Sequence, residues 1–377
     1  MASTLSIKSH LRKLRDPRRR HCREHRFLDI IVIAVCAVIG NADSWRAIAL
    51  WGRTHQRWLK RFLTLPNGIP CHDTFGRLFE RLDSTTFQTC LRQWLLELSG
   101  VLKVSHIAID GKTLRGSGSS TLGPLHLVNA WATQYHLSLG QVAVDAKSNE
   151  ITAIPQLLEV LDLHGALVTI DAMGCQKAIA KKIVERGGNY LLTVKDNQEH
   201  LREDIEERVG QVVEHGVEGH DYYTYEQVEH GHGREETRCY VVIPDLHGIR
   251  DQEAWPKLRV VGVCYCERTV QGKTSFESRY FIGSKNARAR YYGRALRNHW
   301  RIENNLHWQL DVSFDEDGNQ TASRQGAANL AMVRKLALTL LKRHPGKGSI
   351  RFKRQQAGWD TDFLEEVLGG SGSSENF

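Results

Sequence analysis

Asp110 closes the run His106-Ile107-Ala108-Ile109-Asp110, and Asp171 closes Ala166-Leu167-Val168-Thr169-Ile170-Asp171. Each run is apolar and β-prone and is followed by small residues, Gly111 in one case and Ala172 in the other. Each therefore reads as a buried strand that carries a carboxylate to the edge of a sheet. Glu303 lies in the stretch from Asn298 to Trp308, which has helical spacing. Two strand-borne Asp and one helix-borne Glu supply the oxygen ligands that Mg²⁺ prefers. Two such ions about 3.5–4 Å apart can activate an attacking oxygen and stabilise a leaving one in phosphoryl transfer. A single Asp after a strand has a plainer explanation, because turns favour Asp. Two of them together with Glu303, in a basic chain, favour the metal reading.

These three residues need a scaffold. From residue 104 to residue 200 the pattern alternates. Val104–Asp110 reads as a strand, and Leu125–Gln134 with Leu137–Val144 as a strand pair. Pro155–Leu163 reads as helix, Val168–Asp171 as strand, Cys175–Arg186 as helix and Tyr190–Val194 as strand. That order predicts a mixed sheet with helices on both faces, and such sheets place ligands at the carboxyl ends of their strands. Residues 219–285 change the rhythm. Tyr222–Val228, Glu235–Val242, Leu258–Arg268 and Thr274–Ile282 predict an inserted antiparallel β unit. Helix returns over Ala287–Leu310, which carries Glu303, and over Ala327–Arg343. Upstream, residues 27–100 read as an N-terminal helical DNA-binding domain. Within it, Gly68–Phe79 suits a turn followed by a basic helix, a pattern that fits a helix-turn-helix reader and an ordinary bundle equally well. Residues 1–26 read as a basic arm, 101–345 as the catalytic domain and 346–377 as a tail, whose Gly/Ser-rich end from 369 to 377 suits a flexible linker outside the fold.

Composition narrows the function. The chain has 377 residues, 41% hydrophobic and 25% charged, with a formal net charge of +8. That is a globular chain with a core to bury and a leaning towards polyanions. Residues 1–26 hold nine Lys or Arg against Asp16 and Glu24, with Arg18, Arg19 and Arg20 consecutive. Eight scattered Cys form no CxxC pair, and no signal peptide is visible, so the thiols read as reduced and the chain as cytoplasmic. The apolar run Phe27–Ile39 is too short to span a membrane and contains Asp29. His215, His220, His230 and His232 lack the compact spacing of a zinc site.

A more specific pattern emerges from four segments. They are Ala108-Ile109-Asp110-Gly111-Lys112-Thr113-Leu114-Arg115-Gly116, Lys147-Ser148-Asn149-Glu150-Ile151, Thr169-Ile170-Asp171-Ala172-Met173, and His299-Trp300-x-Ile302-Glu303-Asn304-x-Leu306-His307-Trp308-x-Leu310-Asp311-Val312. In this order they resemble the insertion-sequence DDE transposases of the H-repeat-associated group, over roughly residues 10–345. Asp16-Pro17-Arg18 and His72-Asp73-Thr74-Phe75 resemble the N-terminal domain of that group. The resemblance implies an RNase H-like catalytic domain with Asp110, Asp171 and Glu303 as catalytic residues and metal ligands. It implies Mg²⁺ as cofactor, with Mn²⁺ as a substitute. It also implies cleavage at transposon ends and transfer of the 3′-hydroxyl into target DNA. Double-stranded DNA is then the partner, with a homodimer expected on it and a nucleoid-associated bacterial setting. A nuclease on the same fold without strand transfer, and a non-catalytic DNA-binding descendant, stay open as alternatives.

A broader related group carries Tyr-x2-Arg-x3-Glu-x6-Lys around its Glu. Those places hold Leu296, His299, Glu303 and Leu310 here, which leaves Arg297, His299 and Arg301 to contact DNA phosphates. Lys112 and Arg115 follow Asp110 and suit either phosphate contact or a solvated turn. Lys195, at the end of a strand, is read as a phosphate contact. Arg234 and Arg238, on the β unit, are placed to reach DNA. Asn149 and Glu150 suit either support of the metal site or a helix cap. Trp300 and Trp308 read as core, and Asp311, Asp315, Glu316 and Asp317 as mostly solvated.

Overall fold

The computed structural model describes residues 2–100, 103–118, 123–145, 148–215, 222–231, 233–321 and 323–369. Among the described residues nine strands form one sheet: β1 (His106–Leu114), β2 (Leu125–Ala132), β3 (Leu137–Ala143), β4 (Leu167–Ile170), β5 (Asn189–Val194), β6 (Tyr223–Gly231), β7 (Arg234–Ile243), β8 (Val260–Val270) and β9 (Lys273–Gly283). Their spatial order is 3-2-1-4-5-9-8-7-6. β1 pairs antiparallel with β2 and parallel with β4, and β4 pairs parallel with β5. The first five strands thus have the RNase H-like arrangement. The other four do not stand apart as a separate unit. β9 pairs with β5 from Leu191–Gly283 to Val194–Tyr280, so the insertion extends the same sheet.

Alternation along β1 separates the two faces of the sheet. His106, Ala108, Asp110 and Lys112 face one side, and Ile107, Ile109 and Gly111 the other. α7 (Glu150–Glu159), α8 (Lys177–Glu185) and α9 (Glu199–His215) accompany the strands, and the first two pack with Ile107 and Ile109 in the main core. α10 (Ala289–Ile302) covers the Asp110 face. There Tyr292, Ala295 and Leu296 meet Leu167, Leu191, Tyr240, Val260 and Phe281 in a second core. A π-helical turn (Glu303–His307) joins α10 to α11 (Trp308–Phe314). Such turns recur at functional sites.

The N-terminal helices are α1 (Ala2–Leu11), α2 (Phe27–Ile39), α3 (Trp45–Thr54), α4 (Gln56–Leu59), α5 (His72–Arg81) and α6 (Ser84–Ser99). α2 is apolar all round and accordingly buried. Its Asp29 is accommodated because the carboxylate accepts the backbone N–H of Leu65 at 3.0 Å. Ser44 caps α3 and Asp83 caps α6, each accepting a backbone N–H three residues on. α5 turns Phe75, Leu78 and Phe79 inward, where it packs on α12 (Arg324–Arg343), as a bundle helix does. Every residue of α12 from Gly326 to Leu341 is buried, and α12 touches α2, α5 and α6 as well as β2 and β3. One hydrophobic core therefore runs from Ile7 through the sheet to Leu368.

Two expectations from sequence change here. The stretch 1–26 is not a free arm, since α1 packs on α6 and α2 and buries Ile7 and Leu11. The stretch after 346 is not simply a tail. It forms α13 (Ile350–Trp359) and α14 (Thr361–Val367), packed on α2, α11 and α12. Arg354 of α13 is fully buried and donates to the carbonyls of Val38 and Ser313 and to the Asp43 carboxylate. Residues 370–377, including most of the Gly/Ser run, lie outside the described residues. No helix among the described residues is long and apolar enough to cross a membrane.

Candidate active site

The parallel ladder between β1 and β4 ends at the pair Ile109–Ile170. Asp110 and Asp171 come next on their strands, so two residues far apart in sequence stand side by side at the carboxyl end of the sheet. β4 stops there, as its sequence suggested. β1 does not, and continues through Gly111 to Leu114 against β2. Gly111 lets two side chains lie close against the strand. A Cβ at that position would lie 2.1 Å from Glu150 Oε1 and 2.6 Å from His126 Nε2. Those two groups are hydrogen-bonded to each other at 2.6 Å, and His126 Nδ1 reaches Thr113 Oγ1 at 2.8 Å. Glu150 is thus held beside the two aspartates, while Asn149 caps α7 by accepting the Ile151 N–H.

Burial, with Asp171, Glu150 and Glu303 adding like charge, pushes the Asp110 carboxyl up to about 7. Burial and Glu150 likewise raise Asp171 above the usual carboxylate range. Backbone N–H groups and the Lys195 charge only partly offset this. Carboxylates crowded against their own repulsion gain most from a hard cation. His307, on the π turn, places Nδ1 3.5 Å from Asp110 Oδ2. Burial lowers its pKa to about 3, so the ring is neutral and adds no compensating charge. Glu303 is exposed at the rim of the cleft, and no three His, Cys, Asp or Glu side chains among the described residues close a metal shell. The donors form an open, oxygen-only set, which suits an ion that keeps water ligands and takes one or two carboxylates.

Asp110, Asp171 and Glu303 share a cleft of about 480 Å³ with Lys195, Arg234, Arg238, Arg268, Arg279 and Arg297. The β insertion forms one wall. Beyond the reach of α10 its inward face turns from apolar to charged, along Arg234, Glu236 and Arg238 on β7, Arg268 on β8, and Glu277 and Arg279 on β9. Every arginine of the cleft has a carboxylate partner. Arg238 meets Glu236 at 2.7 Å and Glu229 at 3.1 Å, and Arg297 grips Glu229 with two hydrogen bonds. Arg268 lies 3.1 Å and Arg234 3.6 Å from Glu236, while Arg279 pairs with Glu277 at 2.6 Å and stacks on Trp300.

Several residues expected at phosphates are held by protein partners instead or stand outside the cleft. Lys112 is 8% exposed and points into the acidic cluster, 2.6 Å from Asp311, 3.7 Å from Asp317 and 4.0 Å from Glu316. That cluster is not mostly solvated, because Glu316 is 1% exposed and also lies 4.0 Å from Arg334. Arg115 is exposed but leans on Asp317, away from the cleft. His299 is a core histidine. It is bonded to Thr169 Oγ1 at 3.0 Å and lowered by burial to about 4, so it brings no charge to a phosphate. Arg18 is 7% exposed and clamped on Asp16 and the His25 carbonyl, whereas Arg19 and Arg20 are exposed. Arg301 lies on the exposed face of α10. Trp300 stays half-buried, but Trp308 is 53% exposed and not core. Of the four histidines read against zinc, His220 and His232 lie outside the described residues, as does the side chain of His215.

Arg268, Arg279, His126 and the carboxylates Glu229, Glu236 and Glu277 are not among the residues expected from sequence, and His307 enters there only as part of the fourth motif. One signal for them was available. Charges two residues apart on β7 and β9 must share a face, and a strand that buries apolar residues on that face has a reason to bury charges too.

Comparison with known proteins fits this geometry. The DDE_Tnp_1-associated family matches residues 8–95, and the Transposase DDE domain family matches residues 82–340. The "Putative transposase YncI" of Escherichia coli O157:H7 is 38% identical over 97% of this chain and 95% of its own. The "H repeat-associated putative transposase YhhI" of Escherichia coli K12 is 37% identical over 98% of this chain and 99% of its own. Among solved structures, a piggyBac transposase synaptic complex with hairpin DNA matches at a TM-score of 0.41 and 9% identity, over 99% of this chain and 79% of that one. That likeness is too slight to argue from.

Proposed function

The chain belongs to the DDE-domain transposases, and we propose that it cuts double-stranded DNA at transposon ends and joins the freed 3′-hydroxyl to target DNA. Asp110, Asp171 and Glu303 would hold the divalent ions, Mg²⁺ or in its place Mn²⁺. Those ions would supply activation of the attacking oxygen and stabilisation of the leaving one. The chain's own residues do the rest. β1 and β4 fix the two aspartates side by side. His126 fixes Glu150 behind them, and His307 holds a neutral ring against Asp110. Lys195 and the arginines of the insertion set positive charge along the wall where a DNA strand would enter, with Arg238 and Arg297 held in place by their carboxylates. Arg19, Arg20 and Arg301 add exposed charge outside the cleft. Joining two ends to one target calls for two such sites, hence a homodimer on DNA.

The observation that carries this reading is the register that sets Asp110 beside Asp171 in a cleft walled by arginine. The test is a strand-transfer assay with the full chain, Mg²⁺ and duplexes ending in an exposed 3′-hydroxyl. Joined products are expected. Hydrolysis without joining would make the protein a nuclease on this fold. Tight DNA binding with neither product would make it a non-catalytic descendant.

A further inference from the structure

A second cleft, of about 470 Å³, opens at the opposite end of the sheet, where β1 and β4 begin. It too lies against α10. Lys285, Arg290 and Arg294 line it, with Ser105, Gln134 and Asn298 as further polar groups. Arg290, Arg294 and Asn298 follow one another at four-residue intervals and so share one face of the helix, and Arg301 falls on the same face.

Lys285, Arg290 and Arg294 are all exposed, and none has a carboxylate within ion-pairing distance among the described residues. Lys285 instead sits 4.7 Å over the ring of Tyr291. Cations gathered without counter-charges repel one another and are relieved by a polyanion. The row is also long. At about 1.5 Å per residue, Arg290 to Arg301 spans roughly 16 Å, more than one small anion can bridge. Duplex DNA carries about one charge per 1.7 Å of its axis and would meet the whole row.

We propose that this amino-end cleft holds the phosphate backbone of double-stranded DNA, at a place separate from the bond being cut. The proposal rests on the reading that the chain acts on DNA. It gives α10 two duties: the row at its start grips the duplex, and the turn at its end carries Glu303.

The test is a fluorescence-anisotropy titration of the full chain with a long duplex at several salt concentrations. The Lys285→Ala/Arg290→Ala/Arg294→Ala variant is compared with wild type and with Arg290→Lys/Arg294→Lys. Each lost phosphate contact should reduce the log–log salt slope by about 0.9, so the triple variant should fall by roughly 2.7 and bind roughly tenfold or more weakly at low salt. The lysine variant keeps its charge and should keep the slope. Cleavage of a duplex too short to reach from one cleft to the other should be unchanged. A wild-type slope in the triple variant overturns the proposal, as does a loss of short-duplex cleavage with binding intact. A wild-type protein that binds no duplex at any salt overturns the underlying reading instead.

Discussion

The two clefts beneath α10 are both rich in arginine, but they treat it in opposite ways. At the carboxyl end every arginine is paired with a carboxylate, and Arg238 and Glu236 are almost fully buried. At the amino end the cations are exposed and unpaired among the described residues. The difference separates two tasks. A buried pair fixes geometry at a desolvation cost and reaches little beyond its partner. An exposed, unpaired cation fixes nothing, but it attracts a polyanion from a distance and loses that attraction in salt. Placement and attraction are thus divided between the ends of one helix.

The largest effects should come from the acidic end. Asp110→Ala, Asp171→Ala and Glu303→Ala should each reduce Mg²⁺-dependent cleavage to background while duplex binding stays near wild type. Near-normal cleavage in any of them would remove the carboxyl end as the seat of chemistry.

Next comes stability. Arg238→Ala leaves buried Glu236 with only the longer contacts to Arg268 and Arg234, which should cost roughly 1–3 kcal/mol in urea unfolding. Arg294→Ala on the exposed row should stay within about 0.5 kcal/mol of wild type. Equal costs at the two sites would erase the contrast between them.

The third effect depends on pH. Asp110 has a raised pKa in the folded chain, so folding favours its protonated form. Stability should therefore fall as pH rises from the ordinary carboxylate range, near 4, through about 7. In metal-free protein, Asp110→Asn should melt above wild type at pH 8 and together with it near pH 4. Added Mg²⁺ should raise the wild-type melting temperature at pH 8 more than that of the variant. A pH-independent difference between the two would show that charge crowding is not what strains the site.

The smallest effect lies at the N-terminus. Arg19→Ala/Arg20→Ala should lower the salt slope of duplex binding by at most about 1.8, with the melting temperature unchanged. Arg18→Ala should instead lower the melting temperature, because its guanidinium ties Asp16 to the His25 carbonyl. A stable Arg18→Ala protein with a reduced slope would return Arg18 to the DNA-facing set.

Which parts of this were legible in the sequence follows from what each pattern encodes. The runs ending at Asp110 and Asp171 and the helical stretch around Glu303 were readable because burial on a strand or helix imposes periodicity. The junction of β5 with β9 was not, since it is a long-range pairing between strands that each look complete. Nor was the inward turn of Lys112, Arg18 and Arg354. Sequence shows that a cation is present, but its destination depends on Asp311, Asp16 and Asp43, and for Lys112 and Arg354 those lie far along the chain. α13 read as tail because its polar residues hide one buried face, formed by Lys353, Arg354 and Ala357. From sequence Asn149 and Glu150 suit either a helix cap or the site. The structure divides the roles, with Asn149 capping α7 and Glu150 facing the aspartates.

Helix α12 has a consequence for how the protein is made. Its residues leave the ribosome late, yet they cover the apolar faces of α2, α5 and α6 from the start of the chain and also pack on β2 and β3. Until Leu341 has emerged, Phe75, Leu78 and Phe79 lack the cover of α12 and rest only on nearby groups such as Trp45 and Phe87, and nascent chains with apolar surface exposed are prone to aggregate. Closure of the fold therefore waits for α12. A chain interrupted upstream of Arg324 would lack that cover and leave the apolar faces of α2, α5 and α6 open to water.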